Sequence, residues 1–219
     1  MRHTTSNSPK NLLKCYRHLL IAVIGWVIWM VIFFWTKKAI APRYFIHCSL
    51  DDKIPFCKWF LPAYCLWYLY LFAPLMYLGL KAKDEFIRLQ TCLFVGMGFC
   101  LVFYIFYPNA INFRPEVTGN DFLSLILRHM FAVDSSNMVT PSMHVLDSVV
   151  IHIALVKSPL LGQRKPIIIS SFIAMVLICV STVMIKQHSV IDVFWGVIAA
   201  LILCVPFYFA RGGRKAKAS

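Results

Sequence analysis

Six stretches of this chain are continuously apolar: residues 19–35, 59–80, 91–107, 141–156, 167–185 and 190–210. Each comes close to the ~20 residues a helix needs to cross the hydrocarbon of a bilayer. With no water there, a helix satisfies its own backbone donors and acceptors. The expected fold is therefore all-α, an integral membrane bundle of six transmembrane helices in one domain. The composition agrees: 60% of residues are hydrophobic and the mean hydropathy is +0.72, where a soluble domain is nearer half apolar. The expected division is a basic tail over residues 1–18, a membrane domain over 19–210 and a basic tail over 211–219. A basic start followed by an apolar run also describes a signal peptide. Here the run ends in bulky Phe33, Phe34 and Trp35 and passes into Thr36-Lys37-Lys38 with no small-residue cleavage site, so a retained span is expected. Pro62, Pro74 and Pro206 fall inside runs, which membrane helices tolerate better than soluble ones.

Lysine and arginine set the expected orientation. With a cytoplasmic N-terminus, fourteen of them lie inside and eight outside. This predicts both termini in the cytoplasm and the ends at residues 36–58, 108–140 and 186–190 on the outer face. The formal charge of +13 follows largely from that asymmetry, with attraction to anionic headgroups as the sharper reading. The charges sit at helix ends rather than in one basic stripe, which argues against nucleic acid as a partner. The eight cysteines show no C-x-x-C spacing. Most read as small buried hydrophobes, and Cys48 and Cys57 share a loop in which they can pair. No metal-ligand pattern is present, and neither a metal nor a cofactor is expected.

In the first outer loop Asp51 and Asp52 read as turn caps, with Pro55 limiting helix continuation. The longest connection, residues 108–140, carries Arg114-Pro115, an apolar stretch over 122–130 suited to an interfacial amphipathic helix, and the turn sequence Asp134-Ser135-Ser136-Asn137. Thr140 then precedes Pro141 as an expected N-cap with proline at the first helical position.

Two polar motifs interrupt the apolar pattern. Pro141-Ser142-Met143-His144 opens one run and Lys186-Gln187-His188-Ser189-Val190-Ile191-Asp192 opens another. Ionisable groups at membrane depth are expensive and usually functional. At a helix start, Ser142 and His144 lie beside unpaired N–H groups and the positive helix end, a natural phosphate site. There Ser142 offers a hydroxyl and His144 a proton for a leaving oxygen. His188 and Asp192, four apart, share one helix face. Asp192 can fix the tautomer of His188 and leave the other ring nitrogen free to attack. Arg114 supplies a planar fork for phosphate oxygens, and Lys186 is a second cation. Bland readings stand beside these. Arg114 and Lys186 can be interfacial anchors, and Ser142 can simply cap a helix. Asp147 and His152 continue the His144 stripe as a second layer around it or as polar glue between helices. His47 and His129 read as interfacial.

Taken together these residues resemble the type 2 phosphatidic acid phosphatase superfamily of membrane lipid phosphatases and phosphotransferases. Its three-part signature is K-x6-R-P, P-S-G-H and S-R-x5-H-x3-D. Here Tyr107 stands for the lysine before Arg114-Pro115, Met143 for the glycine between Ser142 and His144, and Thr182 for the arginine after Ser181. The forms around His144 and His188 are more similar to the subgroup containing inositolphosphorylceramide and sphingomyelin synthases. The resemblance implies a metal-independent enzyme with catalytic His188, His144 and Asp192 and with Arg114, Ser142 and Lys186 on substrate. In it His188 forms a phosphohistidine, His144 protonates the departing alcohol and then activates the acceptor, and Asp192 orients His188. The implied substrate is a phosphorylated lipid, phosphatidate or a polyprenyl diphosphate, cleaved at the outer face. One alternative is a phospho-headgroup transferase acting on a lipid alcohol of diacylglycerol or ceramide type. The other is a non-catalytic lipid-binding or transport protein.

Overall fold

The computed structural model describes residues 9–210. The expected tail over 211–219 and the first eight residues of the N-terminal one lie outside the described residues. Helix α1 (Pro9–Ala39) runs through the rest of the segment expected to be a tail. A two-residue strand β1 (Tyr44–Phe45), a short helix α2 (Ser49–Lys53) and a 3-10 turn (Lys58–Phe60) lead into α3 (Leu61–Lys81). Then follow α4 (Lys83–Phe106), β2 (Asn109–Ala110), α5 (Phe122–Val133), α6 (Met143–Val156), α7 (Lys165–Met184) and α8 (Val190–Cys204). A π-turn over Val205–Phe209, holding Pro206, extends α8.

The molecule is an all-helical bundle, and five of its helical segments are long and apolar enough to cross a membrane: Tyr16–Ala39, Lys58–Lys81, Lys83–Phe106, Lys165–Met184 and Val190–Phe209. The sixth expected span differs. Helix α6 has 14 residues, about 21 Å at 1.5 Å per residue, against a hydrocarbon core of about 30 Å. It sits at the centre of the bundle, packed on α3, α4, α7 and α8. Val145, Leu146, Val149, Val150 and Ile151 are buried on several faces of it, as expected of a helix with no solvent side.

Helix α1 is the peripheral one. Most of its apolar side chains are exposed at the protein surface, the position of a lipid-facing helix. It is held at three heights. The His18 ring bonds to Gly79 O at 2.8 Å, Trp26 Nε1 donates to Gln90 Oε1 at 3.2 Å, and Lys37 pairs with Asp134. Within the bundle Ser171 Oγ joins three helices, bonding to Tyr70 OH at 2.6 Å and to His152 Nδ1 at 3.0 Å. His152 is thus polar glue between α6 and α7.

The connections at one end of the bundle are tied together. β1 and β2 pair in parallel, Tyr44 with Asn109 and Phe45 with Ala110, and Ala110 bridges to Asn137. Helix α5 falls on the apolar stretch expected within the long connection and starts at Asp121, whose carboxylate accepts from Ser124 N at 3.2 Å. Cys48 and Cys57 are free thiols, so the pairing considered for them is not made.

Candidate active site

The start of α8 is fixed by interlocking caps. Ser189 is the N-cap, and Asp192, three residues on, accepts from Ser189 N at 2.8 Å, closing a capping box. The same Asp192 Oδ2 meets His188 Nδ1 at 3.3 Å, and Asp192 Oδ1 accepts from the Thr140 hydroxyl. Asp192 is fully buried, and all its partners are donors, the condition for keeping a buried carboxylate. With Nδ1 of His188 turned to Asp192, its Nε2 is the nitrogen left for a ligand.

A second carboxylate supports this corner. Asp51 accepts from Ser189 Oγ at 2.6 Å, Val190 N at 2.9 Å and Cys48 N at 2.9 Å. Burial pushes its carboxyl up, but these donors outweigh burial and hold it below the ordinary value. Asp51 therefore caps α2, as its sequence suggests, and also α8, which its sequence does not reveal. Lys186 lies in the left-handed region (φ 56°), and its ammonium donates to Asp51 O at 2.6 Å and Ile54 O at 2.5 Å. The structure thus commits Lys186 to binding the loop between α1 and α3.

The start of α6 lies two residues later than expected. Met143 is the first helical residue and Ser142 the N-cap, its Oγ 3.5 Å from Val145 N. Serine caps as well as threonine, and Thr140 is instead drawn to Asp192. Asn109 Oδ1 accepts from Val139 N and Thr140 N at 2.8 and 2.9 Å, holding the entry to the helix. Ser142 N donates to Asp192 O at 3.1 Å. Gly196 permits this approach: a Cβ there would lie 2.8 Å from Ser142 O. The two polar motifs are thus joined backbone to backbone. Ser142 is fully buried and serves the cap, while His144 projects from the first turn. The His144 ring packs 4.5 Å from Trp67, 4.8 Å from Tyr64 and 5.6 Å from His188, centroid to centroid.

Both histidines line a cavity of about 630 Å³ between α1, α3, α4, α5 and α6. Arg114 and Lys37 are its cations. Arg114 donates to Asp134 O at 2.7 Å, to Lys186 O at 3.4 Å and to Gln187 Oε1, and lies 4.7 Å from the Phe131 ring. A guanidinium has five N–H groups, so the fork retains donors beyond these bonds. Lys37 pairs with Asp134. Burial pushes the Asp134 carboxyl up, and the Lys37 ammonium beside it brings it below the ordinary value. The Gln187 Nε2 group is buried and has no partner among the described residues, which leaves a donor beside His188. Of the residues expected to bind substrate, Arg114 lines the cavity with His144 and His188, whereas Ser142 and Lys186 do not.

No family model matches the chain, and neither a curated protein nor a solved structure does.

Sequence reasoning missed Lys37, Gln187, Thr140 and the second role of Asp51. Lys37 reads as an ordinary basic residue at a helix end, and only its 9% exposure gives it away. Gln187 lies inside a motif already singled out and carried a usable signal, an amide adjoining the histidine. The assembled chemistry is a pair of facing imidazoles, one oriented by a carboxylate, beside cationic and amide donors in the lining of a largely apolar cavity. It suits an anionic group carried on a hydrophobic chain.

Proposed function

We propose that the protein is a membrane lipid phosphatase that cleaves a phosphate ester or diphosphate through a phosphohistidine. The observation that carries this reading is the His188–Asp192 contact facing His144 at 5.6 Å between ring centroids. A site that only bound phosphate would need donors, not a nucleophile with its tautomer fixed. In the proposed reaction His188 Nε2 attacks phosphorus and the P–O bond to the lipid alcohol breaks. His144 protonates the departing oxygen. His144 then takes a proton from water, whose oxygen attacks phosphorus and returns His188 to its free form. Arg114 and Gln187 Nε2 bear on the phosphoryl oxygens, where charge grows in the transition state. The six-span layout of the type 2 phosphatidic acid phosphatases, with the short α6 as sixth member, belongs to this proposal. So do cytoplasmic termini and a site at the outer leaflet, which follow from the lysine and arginine bias.

A second reading, transfer of a phospho-headgroup to a lipid alcohol, is favoured by the volume and apolar lining of the cavity. It adds room for an acceptor chain beside His144. Product analysis separates the readings. Purified protein in lipid micelles is offered phosphatidate, a polyprenyl diphosphate or headgroup-bearing phospholipids, each with and without diacylglycerol or ceramide. His188→Ala is the blank. Free phosphate appearing without an acceptor is the expected result. A new phospholipid formed only with a lipid alcohol establishes transfer, and normal turnover by His188→Ala sinks both mechanisms.

A further inference from the structure

The proposed reaction leaves one cavity cation without a role. A phosphomonoester carries about two negative charges at neutral pH. Arg114 meets one of them, and Lys186 is turned away to the loop between α1 and α3. Lys37 is the other cation in the cavity lining. It closes a stripe of α1, Trp26, Met30, Phe33 and Lys37, spaced by three or four residues and all lining the cavity. The stripe runs about 16 Å along the helix axis, an apolar wall with an ammonium at one end.

The Lys37 side chain is buried, yet its ammonium is sparsely bonded. It has three N–H donors, and among the described residues its hydrogen-bond partner is the Asp134 carboxylate alone. The Phe33 ring lies 5.5 Å from it. Lys186, by contrast, donates to two carbonyls. Nor is the ammonium needed to fasten α1, since Asn137 Nδ2 donates to Lys37 O at 2.9 Å. Polar contacts run from Lys37 to the histidines. Its partner Asp134 accepts at O from Arg114, and Arg114 donates to Gln187 Oε1, next to His188.

We infer, on the reading of His144 and His188 as the phosphoryl site, that Lys37 is a substrate-binding residue. It keeps Asp134 with one N–H and gives the other two to the phosphoryl oxygens. Asp134 is the internal counter-ion of the empty site. It offsets the cost of holding an ammonium out of water, and it opposes a bound phosphate by like charge. The hydrocarbon chain lies along the α1 stripe, with Lys37 at the level of the phosphate. The two sides of this ion pair therefore affect phosphate binding with opposite sign. A pure tether between α1 and the end of α5 has no such asymmetry, because cutting it at either residue has the same effect.

Binding of octadecyl phosphate and of octadecanol is measured on the His188→Ala protein in detergent micelles, where the proposed nucleophile is absent. Lys37→Met in that background is expected to weaken octadecyl phosphate about tenfold or more, the effect of one charged hydrogen-bonded contact. Octadecanol affinity is expected to stay within about twofold. Asp134→Asn is expected to tighten octadecyl phosphate about threefold or more, again without moving octadecanol. The two substitutions together remove a neutral pair and leave the net charge as it was. Octadecyl phosphate is still expected to bind about threefold more weakly than without them, which assigns the loss to contact rather than to a stranded carboxylate. Weakening by both single variants, or an octadecyl phosphate affinity unmoved by Lys37→Met, overturns the inference. If Lys37→Met fails to fold, Asp134→Asn decides alone, and a phosphate affinity that stays level or falls overturns it. Hydrolysis of octadecyl phosphate is read in parallel with His188 intact. Opposite shifts in binding without hydrolysis would sink the phosphatase reading and leave Lys37 in its place. Hydrolysis with binding that ignores Lys37→Met sinks the role of Lys37 alone.

Discussion

Asp192 and Asp147 are the same residue in nearly the same setting. Each is fully buried near the start of an apolar helix, and each lies one turn from a histidine of the facing pair. Their surroundings are opposite. Asp192 accepts from Ser189 N, Thr140 Oγ1 and His188 Nδ1, while neither oxygen of Asp147 has a partner among the described residues. A satisfied buried carboxylate is architecture, because removing it strands its donors. An unsatisfied one is a standing cost, which a buried carboxyl lessens by taking up a proton. The contrast teaches that burial of a charged residue says little until its partners are counted.

The largest expected effect comes from breaking the satisfied member. Asp192→Ala removes the returning half of the α8 capping box and leaves the Thr140 hydroxyl and Ser189 N–H buried without an acceptor. A loss of about 3–5 kcal/mol is expected, the range for breaking a buried charged network, read as a fall in the thermal midpoint of the micelle-bound protein. Asp192→Asn keeps the volume and is expected to lower turnover more than it lowers substrate affinity. Equal stability of Asp192→Ala and the parent would show that the cap network contributes nothing.

Gly196→Ala tests the joint between the two motifs. Its Cβ would fall 2.8 Å from a backbone oxygen and 3.0 Å from Val145 Cβ, neither of which can swing away. A cost of about 1–3 kcal/mol, typical of overpacking, is expected together with a loss of turnover, because His144 and His188 are carried on the elements pushed apart. Unchanged turnover would mean that the reaction does not depend on their 5.6 Å spacing.

The unsatisfied member is expected to behave oppositely. Asp147→Leu replaces an unpartnered carboxylate by an apolar group of similar size and is expected to leave stability unchanged or raise it by about 1–2 kcal/mol. A loss comparable to that of Asp192→Ala would mean that Asp147 has a structural partner in the membrane and would erase the distinction between the two.

Much of this was legible in the sequence, for reasons that differ by element. The apolar runs located α3, α7 and α8 because hydrocarbon imposes their length and composition. The start of α4 escaped because Lys83, Asp84 and Glu85 are polar yet helical, the charged first turns lying beyond the apolar run that marked the span. Helix α6 was found but its length overstated, since a buried helix is as apolar as a spanning one. The His188–Asp192 contact was expected from four-residue spacing on one helix face, yet His188 precedes the Ser189 N-cap and reaches Asp192 from outside α8. The approach of His144 to His188 rests on Gly196 and Thr140, and nothing local in the sequence announces a contact across 52 residues. Lys186 and Lys37 exchanged roles for the same reason: both are lysines at helix ends, and only the folded loops decide which ammonium meets carbonyls and which enters the cavity.

The smallest effect expected concerns pH and the corner that supports Asp192. Asp51 and Asp134 both titrate below the ordinary carboxylate value in the folded protein. A depressed carboxyl binds its proton less readily folded than unfolded, so each adds stability above its unfolded pKa, near about 3.9. That contribution is lost as pH falls through the lower folded values. Stability should therefore be level across neutral pH and decline below about pH 4. Asp51→Asn is expected to flatten the decline partway and to loosen the start of α8, where Ser189 and Val190 lose their carboxylate. Asp147→Leu is expected to leave the acid limb unchanged in slope, since Asp147 has no donor to lose. An acid limb abolished by Asp147→Leu and untouched by Asp51→Asn would reverse the assignment of which buried aspartates hold the fold.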